Sequence, residues 1–207
     1  MRDKTGGKPR SLVPLWVLVA VFAAPVIAAW FFYLNPEYLP EGRSNKGELI
    51  TPMVALPETP GLSTPDGAAF PRSTLAGKWT LVYLAGDECD ETCRKRLIAM
   101  RQIRLALGED QQRVKRLLVM TAPTARELAG DLGAEFAGMQ VAVGGMRLPE
   151  LLGEGAAALD RIYILDPMGN LMMRYAADAP VRDTLEDMEH LLKASRNWVK
   201  GAQYGHK

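Results

Sequence analysis

The sequence predicts an α/β sandwich built on a mixed central sheet and preceded by one transmembrane helix. Three observations carry that prediction. An uncharged apolar run, Ser11 to Leu34, stands near the N-terminus. From Gly77 onward, short segments with strand character alternate with segments of helical period. The series then closes with a strand–turn–strand pattern and a last amphipathic helix, the order of a mixed sheet covered by helices.

The apolar run comes first. Its 24 residues, 11–34, span about 36 Å as a helix, enough for a hydrocarbon core of about 30 Å. Pro14 and Pro25 interrupt it, and membrane helices tolerate proline. Trp16 marks one end and Trp30, Phe31, Phe32 and Tyr33 the other, the placement of an interfacial aromatic belt. Arg2, Lys4, Lys8 and Arg10 precede it against the single acid Asp3. Positive flanks remain in the cytoplasm, so residues 1–10 are expected inside and everything after Asn35 outside. A cleaved signal peptide is the alternative, but its apolar core usually runs only about 7–15 residues. Either way the domain is exported.

About 170 residues remain, one ordinary domain able to bury its own core. The chain of 207 residues carries 25 basic and 24 acidic side chains, a balance that offers nothing to nucleic acid. Two cysteines and two histidines are too few, and too badly placed, for a structural zinc site of four ligands.

Residues 35–74 are rich in Pro and Gly and read as a linker and N-terminal extension, with room for a short strand over Glu48 to Leu56. Trp79 to Leu84 reads as a buried strand. A turn with Cys89 and Cys93 follows, then a helix with Leu97, Met100, Ile103 and Leu107 on one face, ending near Gly108. Val114 to Met120 is a second strand. Thr124 to Leu132 is a short helix with Thr124 as its N-cap and Glu127 three residues on. Val141 to Val143 precedes a turn at Gly144 and Gly145. Arg161 to Asp166 is a strand, Pro167 to Gly169 a turn, and Asn170 to Tyr175 its hairpin partner. Val181, Leu185, Met188 and Leu192 mark the last helix, capped at Asp178 or Pro180. This order is that of thioredoxin, giving a thioredoxin-like domain over residues 75–200 and a C-terminal tail over 201–207.

Cys89 and Cys93 form C-x-x-x-C between a strand end and a helix start. A helix N-terminus stabilises a thiolate, the form that attacks disulfides and binds soft metals. A spacing of four brings both sulfurs to one side of a turn, ready to close a disulfide or clamp one Cu(I). An inert structural disulfide is the competing reading in an oxidising compartment, although so short a loop gains little from closure. Asp87, Glu88, Asp90 and Glu91 surround Cys89, and Arg94, Lys95 and Arg96 follow Cys93. The acids disfavour a thiolate and the basic run favours it.

Three blocks carry a family resemblance: Gly77 to Leu84 (GKWTLVYL), Cys89 to Cys93 (CDETC) and Ile162 to Gly169 (IYILDPMG). They resemble the Sco/SenC family of cytochrome c oxidase assembly proteins, and the N-terminal anchor matches as well. The resemblance implies a thioredoxin fold and placement in the inner (cytoplasmic) membrane with a periplasmic domain. It also implies partners among the subunits of cytochrome c oxidase or its assembly factors, and copper binding through both cysteines and a distant histidine. Cys89 and Cys93 match the two thiols, as catalytic pair and as metal ligands. The histidine has no counterpart: its place falls near Ala158, and Ala156 to Arg161 contains none. The prolines that flank the family's cysteines are absent too.

Other donors are weaker. His190 points away from the apolar face of the last helix, and His206 lies in the tail. Met168 is in a turn and Met172 in a strand. Asp160 is near the histidine's place, but a carboxylate is a hard ligand for Cu(I). Three functions are therefore expected to compete: thiol–disulfide exchange, Cu(I) carriage, and a non-catalytic scaffold with a structural disulfide. No acid–base pair, phosphate loop or catalytic histidine supports another enzyme class.

Overall fold

The computed structural model describes residues 12–35, 38, 45–144 and 148–196. The basic N-terminal tail, Gly145, His206 and the C-terminal tail lie outside them. The chain divides into two compact units, one up to Ser44 and one from Asn45.

The first unit holds helix α1, Val13–Leu34, with Pro25 inside it. At 22 residues it is about 33 Å long, and it is long and apolar enough to cross a membrane.

In the second unit, among the described residues, seven strands form one sheet: β1 (Glu48–Ala55), β2 (Leu62–Ser63), β3 (Trp79–Ala85), β4 (Val114–Met120), β5 (Gln140–Gly144), β6 (Ile162–Leu165) and β7 (Asn170–Tyr175). Their spatial order is β1-β7-β6-β3-β4-β5-β2. β3, β4 and β5 are parallel neighbours. β6 runs antiparallel to β3, and β7 and β1 continue antiparallel outward. The mixed sheet with packed helices expected from the element order is present.

β3 is buried at every position, as a central strand covered on both faces must be. One face meets α2 (Glu91–Ala106), α3 (Arg126–Glu135) and α5 (Val181–Ala194). There Leu81, Tyr83, Leu118 and Met120 pack with Leu97, Met100, Ile103, Leu132, Met188 and Leu192. The other face carries Val82, Leu84, Leu117 and Tyr163, and among the described residues no long helix covers it. Leu56, Leu62, Phe70 and Leu75 close it, together with Leu148 of the short helix α4 (Leu148–Leu151). Leu56, Leu62 and Phe70 come from the Pro- and Gly-rich extension, and Leu75 directly follows it. They show no period because irregular chain, rather than a helix or long strand, presents them.

One helix start differs from the expectation. Pro123–Ala125 forms a 3-10 turn, and α3 begins at Arg126 after Ala125, which offers no side-chain cap. Pro123 fixes the backbone at the head of that turn, so Thr124 falls inside it instead of capping. α5 starts after Pro180, also without a side-chain cap.

The chain enters the second unit across a buried carboxylate. Asp187 of α5 is 2% exposed. It accepts the Lys46 amide at 3.0 Å, the Gly47 amide at 2.7 Å and the Tyr175 hydroxyl at 2.8 Å. Only glycine fits at position 47, since a Cβ there would lie 2.6 Å from the Tyr175 ring.

Burial holds two phenols of this unit in the neutral form. Tyr163 donates to the Ala158 carbonyl at 2.8 Å and is pushed up to about 12 by burial. Tyr175 is raised further, by burial first and then by Asp187. An unfolded tyrosine titrates near 10, so above that pH the folded state holds protons that the unfolded state has lost. Stability therefore falls as pH rises from about 10 toward 12. Thermal unfolding between pH 9 and 11.5 should show a steady fall in Tm. Phenolate absorbance from these two residues should appear only with unfolding; early absorbance at full structure would contradict their burial.

Candidate functional site

The parallel strand β3 ends at Ala85, and the chain turns through Gly86 to Asp90 into α2. Asp90 is the N-cap: its Oδ1 accepts the Cys93 amide at 2.8 Å. This is the bond expected of an aspartate at that position. The cap lies between the two cysteines, and Cys93 is therefore in the first turn of α2. Cys89 and Cys93 are joined in a disulfide, with Cα atoms 5.2 Å apart.

The two sulfurs are not equivalent. Cys93 is 1% exposed and belongs to the core beneath α2, whereas Cys89 is half-buried at its edge. A partner therefore meets Cys89 first.

The charges around the pair sort themselves by exposure. Asp87, Glu88, Asp90 and Glu91 are all exposed to solvent. The basic run is occupied elsewhere: Arg94 pairs with Glu135, Lys95 with Glu91 at 2.8 Å, and Arg96 donates to the Ala179 carbonyl at 2.8 Å. These contacts leave the side chains charged, so the basic run and the first turn of α2 both favour a thiolate at the sulfurs.

Beside the disulfide lies a cleft of about 480 Å³ walled by Gly86, Asp87, Glu88, Asp90, Thr92 and Asp160, among others. Asp160 is the one non-glycine residue with positive φ, at 59°, among those described. Its amide donates to the Leu84 carbonyl at 2.8 Å, and its carboxylate accepts the buried Tyr83 hydroxyl at 3.1 Å. Burial first, and then Asp160, raises the Tyr83 pKa. Sequence reading weighed Asp160 only as a metal donor and missed this bond. The one available signal was its place just before the strand that pairs with Tyr83.

The other candidate donors stay apart from the pair. His190 is exposed on α5. Met168 is 68% exposed in the turn after β6, at the opposite end of the sheet from the cysteines. Met172 lies in β7. Among the described residues no three His, Cys, Asp or Glu side chains gather as a metal site. Once reduced, the two thiols would offer two soft sulfur donors to an ion such as Cu(I). Oxidised, they offer one accessible sulfur to thiol–disulfide exchange.

Comparison with known proteins places this geometry. The family model described as transmembrane-like, thioredoxin-like, C-terminal domain matches residues 79–195. No curated protein matches the sequence. Solved structures do match in fold. Yeast Sco1 with copper bound aligns at a TM-score of 0.56 and 14% identity, over 74% of this chain and 96% of that one. Apo Sco1 from Thermus thermophilus gives 0.56 and 18%, over 73% and 99%. BsSco, described with a disulfide switch and as a member of the Sco family of cytochrome c oxidase assembly proteins, gives 0.51 and 15%, over 67% and 94%. The likeness is one of fold, and it is the fold that the cysteine and strand blocks led us to expect.

Proposed function

The chain belongs to the family of transmembrane-like, thioredoxin-like C-terminal domains, and from that premise we propose that it is a membrane-anchored assembly factor for cytochrome c oxidase that acts by thiol–disulfide exchange at Cys89 and Cys93. The observation that carries the reading is the unequal exposure of the two sulfurs at the start of α2. The oxidase connection is supported by the fold shared with BsSco, described as a member of the Sco family of cytochrome c oxidase assembly proteins, and by the resemblance of the cysteine and strand blocks.

In the reaction, a client thiolate attacks the Cys89 sulfur. The Cys89–Cys93 bond breaks, and Cys93 leaves as a thiolate in the first turn of α2. A second client thiolate then attacks the mixed disulfide and releases Cys89. The client dithiol is oxidised to a disulfide, and the protein's disulfide is reduced to two thiols. The reverse sequence, opened by the Cys89 thiolate, reduces a client. In this reading α1 anchors the chain in the inner (cytoplasmic) membrane, residues 1–10 are cytoplasmic, and residues 35–74 lead to a periplasmic domain.

A second reading has a specific basis, since yeast Sco1 of the same fold holds copper. Here Cu(I) would be cargo on the two reduced sulfurs. With no histidine beside the pair among the described residues, coordination would be incomplete and release to a partner favoured.

Two measurements on the full chain in detergent test these readings. Exposing the oxidised protein to a dithiol peptide should convert one disulfide per chain, with no reaction in Cys89→Ser/Cys93→Ser. A pair that stays oxidised would make the disulfide structural. Titrating the reduced protein with Cu(I) against a competing chelator should show one ion per chain, lost in the double variant. Binding no better than the variant's would remove the copper reading and leave exchange untouched.

A further inference from the structure

The cleft beside the disulfide is built by three loops that meet at one end of the sheet. The turn after β3 contributes Asp87, Glu88 and Asp90, which stand on either side of Cys89. The residues before β6 contribute Leu159 and Asp160, and the turn after β7 contributes Ala177. This is the carboxyl end of β3, the end at which open α/β sheets bind their ligands. Among the described residues that line the cleft none is basic, and neither Asp87 nor Glu88 has an ion pair or a side-chain hydrogen bond. Asp160 differs from them in being fixed. Tyr83, fully buried, donates its hydroxyl to Asp160 Oδ1 at 3.1 Å. The Asp160 amide is held by the Leu84 carbonyl at 2.8 Å, and its φ of 59° is one that Asp, Asn and Gly adopt more readily than other residues. The side chain is exposed, and its Oδ2 carries no hydrogen bond among the described residues.

A carboxylate held in place before its partner arrives loses little freedom on pairing, so it discriminates better than a loose surface acid. A client thiolate that attacks Cys89 brings the residues beside its own cysteine into this cleft. We infer, resting on the exchange proposed above, that Asp160 is a specificity-determining residue that receives a lysine or arginine flanking the client's cysteine. Its free Oδ2 accepts the incoming N–H, and the unpaired Asp87 and Glu88 add to the field that draws the cation in. Arg94, Lys95 and Arg96 carry the opposite charge on α2 but do not line the cleft. The contact lies outside the bonds that form and break, so it serves the exchange in both directions.

The test uses the full chain, oxidised, in nonionic detergent, with dithiol peptides identical except that serine, lysine or glutamate flanks each cysteine. Each rate of disulfide reduction is divided by the same peptide's rate with a small uncharged disulfide, which removes the effect of flanking charge on the thiol itself. At about 20 mM salt the lysine peptide should react on the order of tenfold faster than the glutamate peptide. The ratio should fall toward one at about 1 M salt, where the Debye length is about 3 Å. Asp160→Asn keeps an acceptor for Tyr83 and tolerates the same φ, and it should lower the ratio about threefold. Glu109→Gln removes an equal charge from an exposed position beyond the far end of α2 and should leave the ratio unchanged. A wild-type ratio below about two, no fall in Asp160→Asn, or equal falls in both variants would overturn the inference, while reaction of the serine peptide still upheld exchange. A preference for glutamate would overturn it too and move recognition to Arg94, Lys95 and Arg96. No reaction with any peptide would end the exchange reading and this inference with it.

Discussion

Cys93→Ser should capture its client as a stable mixed disulfide, and Cys89→Ser should not. Cys89 is half-buried at the edge of the core and Cys93 is 1% exposed. Attack at the outer sulfur is open, and attack at the inner one is blocked by packing. With Cys93 replaced, a Cys89 thiolate that has attacked a client disulfide lacks its own resolving thiol, and the adduct persists. With Cys89 replaced, the remaining thiol is closed to partners. Yields of trapped adduct on non-reducing gels of membranes should differ on the order of tenfold or more. Equal trapping by both variants would contradict the assignment of Cys89 as the outer, exchanging sulfur.

Asp187→Ala should be strongly destabilising although it lies away from the cysteines. It strips the acceptor from the Lys46 and Gly47 amides and from the Tyr175 hydroxyl at once. Unpaired buried donors cost about 1–3 kcal/mol each, and the loss of this group should cost about 3 kcal/mol in total. For a domain of this size that lowers Tm by about 6–12 °C. Asp187→Asn retains one carbonyl acceptor and should lose less. Amide exchange at residues 46–47 should quicken in both. A Tm within 2 °C of wild type for Asp187→Ala would show that the carboxylate contributes little.

The periodic parts of this fold were legible. Trp79 to Leu84, Val114 to Met120 and the last hairpin announced themselves because buried strands need unbroken or alternating apolar residues. The cysteine pair was legible by type and by its place between strand and helix. Asp187 was not. An aspartate on an amphipathic helix reads as solvated, and its main partners are backbone amides some 140 residues away, which leave no side-chain signature. Leu56, Leu62 and Phe70 were missed for a related reason, since irregular chain covers the second sheet face without any period to detect. The unequal exposure of Cys89 and Cys93 depends on how α2 lies over the core, which spacing alone does not report.

The position of Asp90 has a consequence for the energetics of turnover. The aspartate that starts α2 sits inside the five-residue ring closed by the disulfide and holds the Cys93 amide through its own side chain. The helix start therefore has a hydrogen bond of its own that does not run through the sulfur–sulfur bond. A ring this small also withholds little entropy from the unfolded chain. By loop closure the disulfide contributes about 2 kcal/mol to folding, less than a bridge across a longer loop would. Under the proposed exchange, the pair would gain and lose two electrons beside a helix cap that does not pass through the sulfurs.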